Sequence, residues 1–290
     1  MNLRSFVARL WRREPPRIGL ALSGGGVRGL AHIGVLKVLT EAGIPIHCVA
    51  GTSAGGLIGA LFAAGMSPQE MEAEALRMAN PRRILPFLNR RLPFRGILSS
   101  QKVMEYLESL LGDVTFDRLP IPLAVVAVDL NTGRKVILRE GRVADAVRAT
   151  IALPGLLSPV EWGEMLLVDG GLIDNLPADA ARQMGADRVV AVDISTDEGS
   201  IASLREELRS RPFIPDILAE TVDVLWRSIV VMMREANWRN LEDAHPDLLI
   251  RPLLPSGVTV LTGLTRAAEI IAAGEEAARA VLPRLEGLIH

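Results

Sequence analysis

The sequence predicts an α/β fold built on a mostly parallel central sheet. Two observations carry this. Ile18–Ser23 (IGLALS) and Ile46–Ala50 are apolar runs of strand length, and each passes through a glycine-rich turn into a helical pattern. Two βα units therefore fill the first 65 residues, and strands that alternate with helices favour parallel pairing. The composition agrees: 26 Gly and only 4% aromatics suit tight βα turns better than an aromatic binding surface. With 49% hydrophobic and 23% charged residues in 290, the chain has ordinary globular content and is far from the composition of a disordered protein.

The elements follow in order. After the first strand and Gly24-Gly25-Gly26, a helix begins near Gly29, runs through His32, Val35 and Leu36, and stops at Gly43. The second strand ends in Gly51-Thr52-Ser53-Ala54-Gly55, and an apolar helix continues to about Gly65. Further strands are predicted at Ile121–Asp129, Lys135–Arg139, Met165–Val168, Arg188–Ile194 and Leu248–Arg251. Helices are predicted at Ser100–Leu111, Asp216–Asn240 and Thr265–Leu282. In the second of these, Leu218, Val222, Leu225, Ile229 and Met233 share one face, which reads as core packing; Trp226 and Met232 are candidates for a channel wall. The polar stretch Ser195–Arg211 reads as a surface connection.

Residues 1–17 form a separate basic amphipathic segment. Leu3, Phe6, Val7, Leu10 and Trp11 share one helical face, Arg4, Arg9, Arg12 and Arg13 lie off it, and Pro15-Pro16 ends the pattern. Residues 18–290 read as one domain, with a motif-bearing core at 18–194 and a helical extension at 212–290. The segment Pro81–Ser100 interleaves Arg82, Arg83, Arg90, Arg91 and Arg95 with Ile84, Leu85, Phe87, Leu88, Leu92 and Phe94, and contains no acid. Both segments are candidates for peripheral contact with anionic headgroups; the second reads equally as a lid over an acyl channel or a solvated connector, and the first as a helix packed on the domain or frayed. The net charge of −2 disfavours a nucleic-acid partner. The longest Gly-and-apolar run, Gly56–Met66, falls short of the roughly 18 residues a spanning helix needs. Arg9 interrupts any secretory apolar region, so the expected location is cytoplasmic, with peripheral contact at the inner membrane face. Cys48 is the single cysteine and has no internal disulfide partner.

Gly24-Gly25-Gly26-Val27-Arg28-Gly29 satisfies G-x-G-x-x-G between a strand and a helix. A dinucleotide site would need an acid at the end of the second strand, and a Walker loop would need Lys-Ser/Thr after its last glycine; the chain has neither. The loop's other use is as an anion cradle, because glycine N–H groups at a helix start converge and carry partial positive charge.

Gly51-Thr52-Ser53-Ala54-Gly55 is G-x-S-x-G in strand-turn-helix context, the setting that exposes a nucleophilic serine on a tight turn. A simple serine N-cap is the competing reading, although a cap does not need glycines on both sides. A hydroxyl nucleophile needs a base. His32 and His47 read as packing residues, His245 lies in a loop and His290 is terminal, so a histidine triad is poorly supported. Asp169 ends the apolar run Met165–Val168 and is followed by Gly170-Gly171, a placement suited to catalysis. A carboxylate begins about 2.6 pK units below histidine, roughly 3.5 kcal/mol weaker as a base, and burial would recover part of that. Asp174, before Asn175-Leu176-Pro177, reads as structural.

In this order, GGGVRG, GTSAG and DGG resemble the motifs of the patatin-like phospholipases, bacterial members related to the neuropathy target esterase catalytic domain. Arg148–Val160 (RATIALPGLLSPV) is similar to a fourth block of that family, and the four together span Ile18 to about Ile194. The resemblance implies a three-layer α/β/α fold and a Ser-Asp dyad, with Ser53 as nucleophile and Asp169 as base. Gly24, Gly25 and Gly26 would supply oxyanion-hole N–H groups with Arg28 nearby, and Gly51 and Gly55 would shape the nucleophile turn. It also implies hydrolysis of acyl esters in phospholipids or lysophospholipids, with no cofactor and no metal. Two other readings stand beside this one: a catalytically weak membrane-associated adaptor on the same fold, and a nucleotide-binding enzyme using the GGGVRG loop.

Overall fold

The computed structural model describes residues 15–88, 97–195 and 216–289. The basic stretch up to residue 14, the middle of the 81–100 segment and most of the polar connection after Ser195 lie outside the described residues.

Among the described residues eight strands form one mixed sheet: β1 (Ile18–Leu22), β2 (Ile46–Thr52), β3 (Leu123–Asp129), β4 (Arg134–Leu138), β5 (Val160–Trp162), β6 (Met165–Asp169), β7 (Arg188–Val192) and β8 (Leu248–Ile250). Their order is β5-β6-β3-β2-β1-β7-β8, with β4 on the free edge of β3. The stretch from β3 through β8 is parallel; β4 and β6 run antiparallel to β3, and β5 antiparallel to β6. The short edge strand Val160–Trp162 is not distinguishable in the sequence, since three residues carry no period.

The helices are α1 (Leu30–Glu41), α2 (Ala54–Ala63), α3 (Pro68–Met78), α4 (Ser100–Leu111), α5 (Val143–Thr150), α6 (Ala178–Gln183), α7 (Asp216–Ala244) and α8 (Ala267–Ile289), besides a single turn at Pro81–Ile84. Their starts follow local rules. Ser67 and Glu70 cap α3 reciprocally, and Ser99 accepts the Lys102 N–H at the start of α4. The sequence places the end of α8 before Pro283. The helix instead runs through that proline, and Leu285 beyond it is buried in the core.

The strands alternate residue size, and this makes the layers. Leu20, Leu22, Val49, Leu123, Val125, Val190 and Val192 face one side, where they meet Leu36 of α1, Ile58 of α2 and Ile270 of α8. Ala21, Ala50, Ala124 and Ala191 face the other side, against Leu176, Ala178 and Ala181. The small residues let α6 and the loop before it lie close to the sheet. On the first side, α1 and α8 approach to backbone contact: a Cβ on Gly34 would sit 2.0 Å from Ile271 O, and one on Gly274 1.9 Å from Ala31 O. The fold is the three-layer α/β/α arrangement expected.

One feature of register places the site. Val125 and Val126 pair with both β2 and β4, so β2 and β4 lie on opposite edges of β3. Ala127, Val128 and Asp129 pair with both β4 and β6, so β6 shares the β2 edge. Strands β2 and β6 therefore run toward each other along one edge, Thr52 facing Val126 and Asp169 facing Ala127.

Among the described residues no helix is long and apolar enough to cross a membrane. The two ends of the segment around residues 89–96 meet at a Leu88–Leu98 bridge, and Phe87 packs edge-on against Tyr106. Leu225, expected in the core, is exposed; with Val224, Val231, Met232 and Trp238 it forms an apolar outer face of α7. Met233, expected to pack with it, turns the other way, toward the site.

Candidate active site

Ser53 sits between β2 and α2 with φ 52° and ψ −122°, a left-handed conformation that a residue with a Cβ rarely adopts. The positions two residues to either side, Gly51 and Gly55, must be glycine for steric reasons. A Cβ on Gly55 would come within 2.2 Å of Leu22 O, and one on Gly51 within 2.5 Å of Gly55 O. Thr150, at the end of α5, holds the turn: its hydroxyl accepts the Ser53 N–H (2.8 Å) and donates to Val126 O. Thr52 Oγ1 donates to Asp174 O (2.9 Å), tying the turn to the loop after β6.

Asp169 ends β6 and is buried. Ser53 Oγ donates to its Oδ2 at 2.7 Å, and Gly171 N–H donates to its Oδ1 at 2.8 Å. Burial pushes the carboxyl up to about 6, against the two hydrogen bonds that favour its charged form. Gly170 is required here, because a Cβ would meet Val126 O at 2.3 Å.

The glycine loop lies beside the serine. A Cβ on Gly24 would fall 3.0 Å from the Ser53 Cβ and 2.4 Å from Asn175 Oδ1. The three N–H groups expected to face an oxyanion are not equivalent. Gly24 N–H already donates to Asn175 O (3.0 Å), and Asn175 Nδ2 donates back to Gly24 O (3.2 Å). Gly24 is thus a strut, whereas the N–H groups of Gly25 and Gly26 make no hydrogen bond among the described residues. Gly26 has φ 58°, and a Cβ there would overlap Val260 O at 2.0 Å. Arg28 is buried in the same pocket wall and donates Nη2–H to Ser195 O (3.1 Å).

Gly25, Gly26, Ser53 and Asp169 line one pocket together with Leu153 and the inner face of α7. No histidine is among its lining residues. His32 is fully buried and donates Nε2–H to Ser23 O (2.8 Å); burial pushes its pKa down to about 4, so it is neutral near pH 7. His47 Nδ1 accepts the Ile18 N–H (3.0 Å). Asp174 is structural, as expected: its carboxylate pairs with Lys135 (2.9 Å). Among the described residues no cluster of His, Cys, Asp or Glu could hold a metal ion.

A serine in a strained turn, a buried carboxyl with an elevated pKa on its hydroxyl, and two unused N–H groups lining the same pocket can together support acyl transfer without imidazole. Residues 20–182 match the model of the patatin-like phospholipases. The chain belongs to the patatin-like phospholipase family. It is 35% identical over 228 residues to an uncharacterized NTE family protein of Mycobacterium tuberculosis, covering 79% of this chain and 61% of that one. It is 36% identical over 196 residues to patatin-like phospholipase domain-containing protein 6 of Mus musculus, covering 66% of this chain and 14% of that one. The chain thus spans less than two thirds of the length of either relative. Among solved structures, VipD from Legionella pneumophila shares the fold, with a TM-score of 0.53 at 16% identity over 93% of this chain and 67% of that one.

Sequence reasoning missed Thr150 and Asn175, and on α7 it offered Trp226 and Met232 for a channel wall where Val230, Met233, Arg234 and Asn237 line the pocket and Met232 is exposed. Thr150 lies inside the RATIALPG block and Asn175 six residues after Asp169, so both sit in recognisable segments. Their roles depend on backbone atoms brought from distant strands, and no residue pattern encodes those.

Proposed function

We propose that this patatin-family protein is a serine acyl hydrolase that cleaves carboxylic ester bonds of phospholipids or lysophospholipids through a Ser53–Asp169 dyad. The observation that supports this most is the 2.7 Å hydrogen bond from Ser53 Oγ to a buried carboxyl whose pKa lies at about 6. Relative to an ordinary aspartate, that elevation recovers roughly 3 kcal/mol of basicity, most of the deficit against histidine.

Asp169 accepts the Ser53 proton as Oγ bonds to the ester carbonyl carbon. The oxyanion takes hydrogen bonds from Gly25 and Gly26 N–H, and the helix start behind the loop adds favourable charge. The tetrahedral intermediate collapses, the C–O bond to the alcohol breaks, and the proton on Asp169 passes to the leaving oxygen. Water then attacks the acyl-Ser53 carbonyl, again losing its proton to Asp169. The acid leaves, and the proton returns to Ser53. Each proton taken up is given back, so the cycle closes without another reactant.

The apolar lining contributed by Leu153, Val230, Met233 and Val260 suits an acyl chain. Lipid contact through residues 1–17 and 81–100 would bring the site to its substrate at the inner membrane face. Incubation with a mixed phospholipid and lysophospholipid panel, read by mass spectrometry, tests the reading. Fatty acid release by wild type and none by Ser53→Ala is expected. An intact panel would instead favour the adaptor alternative. Vesicle partitioning equal to that of a chain lacking residues 1–16 would reject a membrane role for the N-terminal segment.

A further inference from the structure

The inner face of α7 presents Val230, Met233, Arg234 and Asn237 to the pocket that holds Ser53. Their i, i+3, i+4, i+7 spacing puts two apolar and two polar side chains on one stripe. The polar pair is unusual in what it lacks. The other α7 arginines are neutralised within the helix, Arg227 by Asp223 (2.9 Å) and Arg239 by Glu235 (2.8 Å). Arg234 has Val230 and Val231 on the preceding turn and Asn237 and Trp238 on the next, with no acid at helical spacing. Among the described residues it makes no ion pair and no hydrogen bond. Asn237, one turn on, is buried; its Nδ2 donates to Ser195 Oγ (3.3 Å), and its Oδ1 has no donor.

An uncompensated guanidinium and a buried acceptor without a donor, side by side at a pocket wall, are both groups that a polar ligand would complete. The cation is not spent on the base, since Asp169 owes its elevated pKa to burial, and the groups that lower it are Ser53 and Gly171. From this geometry we infer that Arg234 forms an anion-binding subsite that selects acyl esters carrying a phosphate group over neutral ones, while the Asn237 Oδ1 beside it accepts from a hydroxyl of the same ligand. The inference rests on the hydrolase reading and adds to it the residue that reads the substrate's charge. Planar guanidinium donors match phosphate oxygens in pairs, so Arg234 both attracts the anion and sets its orientation relative to Ser53.

The test uses two matched monomeric esters, 1-hexanoylglycerol and its 3-phosphate. Wild type is expected to favour the phosphate ester in kcat/KM. The ratio of the two kcat/KM values falls about 10–100-fold in Arg234→Gln, the range of a lost charge-assisted contact, and recovers in part in Arg234→Lys. A ratio that Arg234→Gln leaves unchanged overturns the inference. Binding measured by calorimetry on Ser53→Ala, which cannot turn the ester over, separates this from the hydrolase reading. There, adding Arg234→Gln should weaken the phosphate ester about 10–100-fold. If that loss occurs while wild type hydrolyses neither ester, the subsite stands and the hydrolase reading falls. Equal Kd values with and without Arg234→Gln sink the subsite. Inorganic phosphate provides the second arm: binding as tight as that of the ester, also lost in Arg234→Gln, would assign the subsite to a free anion and contradict substrate selection.

Discussion

Thr52 and Asp169 face consecutive residues of β3, Val126 and Ala127, on the same strand edge. The residue after Thr52 is Ser53, so a parallel strand delivers the hydroxyl and an antiparallel one delivers the carboxyl to a single point. The loop leaving β6 then returns to brace the serine turn, through Asp174 O to Thr52, and the glycine loop, through Asn175 to Gly24. The Ser53–Asp169 contact is a product of sheet register, and neither residue can be displaced without disturbing the central strand.

The carboxyl must be unprotonated to accept the serine proton. Its pKa of about 6 therefore predicts that kcat/KM falls below that pH, by about tenfold per unit, while an ordinary aspartate would hold activity to near pH 4. His32 cannot produce such a limb, because its pKa lies at about 4. A pH–rate profile on a soluble ester checks this; a limb near 4 would show that burial does not tune the base.

Asp169→Asn should separate activity from stability. Loss of the base lowers the rate by about 10²–10⁴-fold. The native carboxyl binds its proton more tightly than the unfolded one, so between about pH 4 and 6 native stability falls as pH rises. The full cost, about 3 kcal/mol, is present above that window. Asparagine carries no charge at any of these values. The variant should melt higher than wild type near pH 8 and lose that advantage near pH 4. Calorimetry at the two pH values decides it, and a difference independent of pH would contradict the burial account.

Thr150→Val keeps the shape of the side chain and removes its hydroxyl. The Ser53 N–H then loses its acceptor, at a cost of about 1–3 kcal/mol. The turn that holds Ser53 at positive φ loosens, and kcat should fall by about tenfold or more while KM changes little. Steady-state kinetics with a melting curve would show both; wild-type kcat would mean the turn holds itself.

Two glycine substitutions should differ in kind. Gly55→Ala drives a Cβ into the Leu22 carbonyl at 2.2 Å, where only backbone could give way, and should prevent stable folding. Gly24→Ala meets the Asn175 side chain at 2.4 Å, which can rotate, so the chain should fold and lose activity as the strut opens. Circular dichroism and ester turnover on both proteins test the contrast.

Much of this was legible in the sequence because βα units write themselves locally. IGLALS and the GTSAG turn each carry strand, glycine turn and helix start within a dozen residues, and the DGG turn ends a run of apolar residues. What was not legible is what depends on distant backbone. Gly24 was expected to donate to an oxyanion, yet its N–H is taken by Asn175 O, 151 residues away in sequence. Leu225 was expected in the core because apolar spacing alone cannot say which of two apolar faces is covered, and α7 has one on each side.

The central claim is that Ser53, deprotonated by Asp169, is the group that attacks an acyl carbonyl. A fluorophosphonate probe followed by peptide mapping tests it most directly. The dyad predicts one adduct on Ser53 in wild type, much slower labelling in Asp169→Asn, and none in Ser53→Ala. Labelling of Ser53→Ala at the wild-type rate, or lipid hydrolysis that persists in that variant, would contradict it.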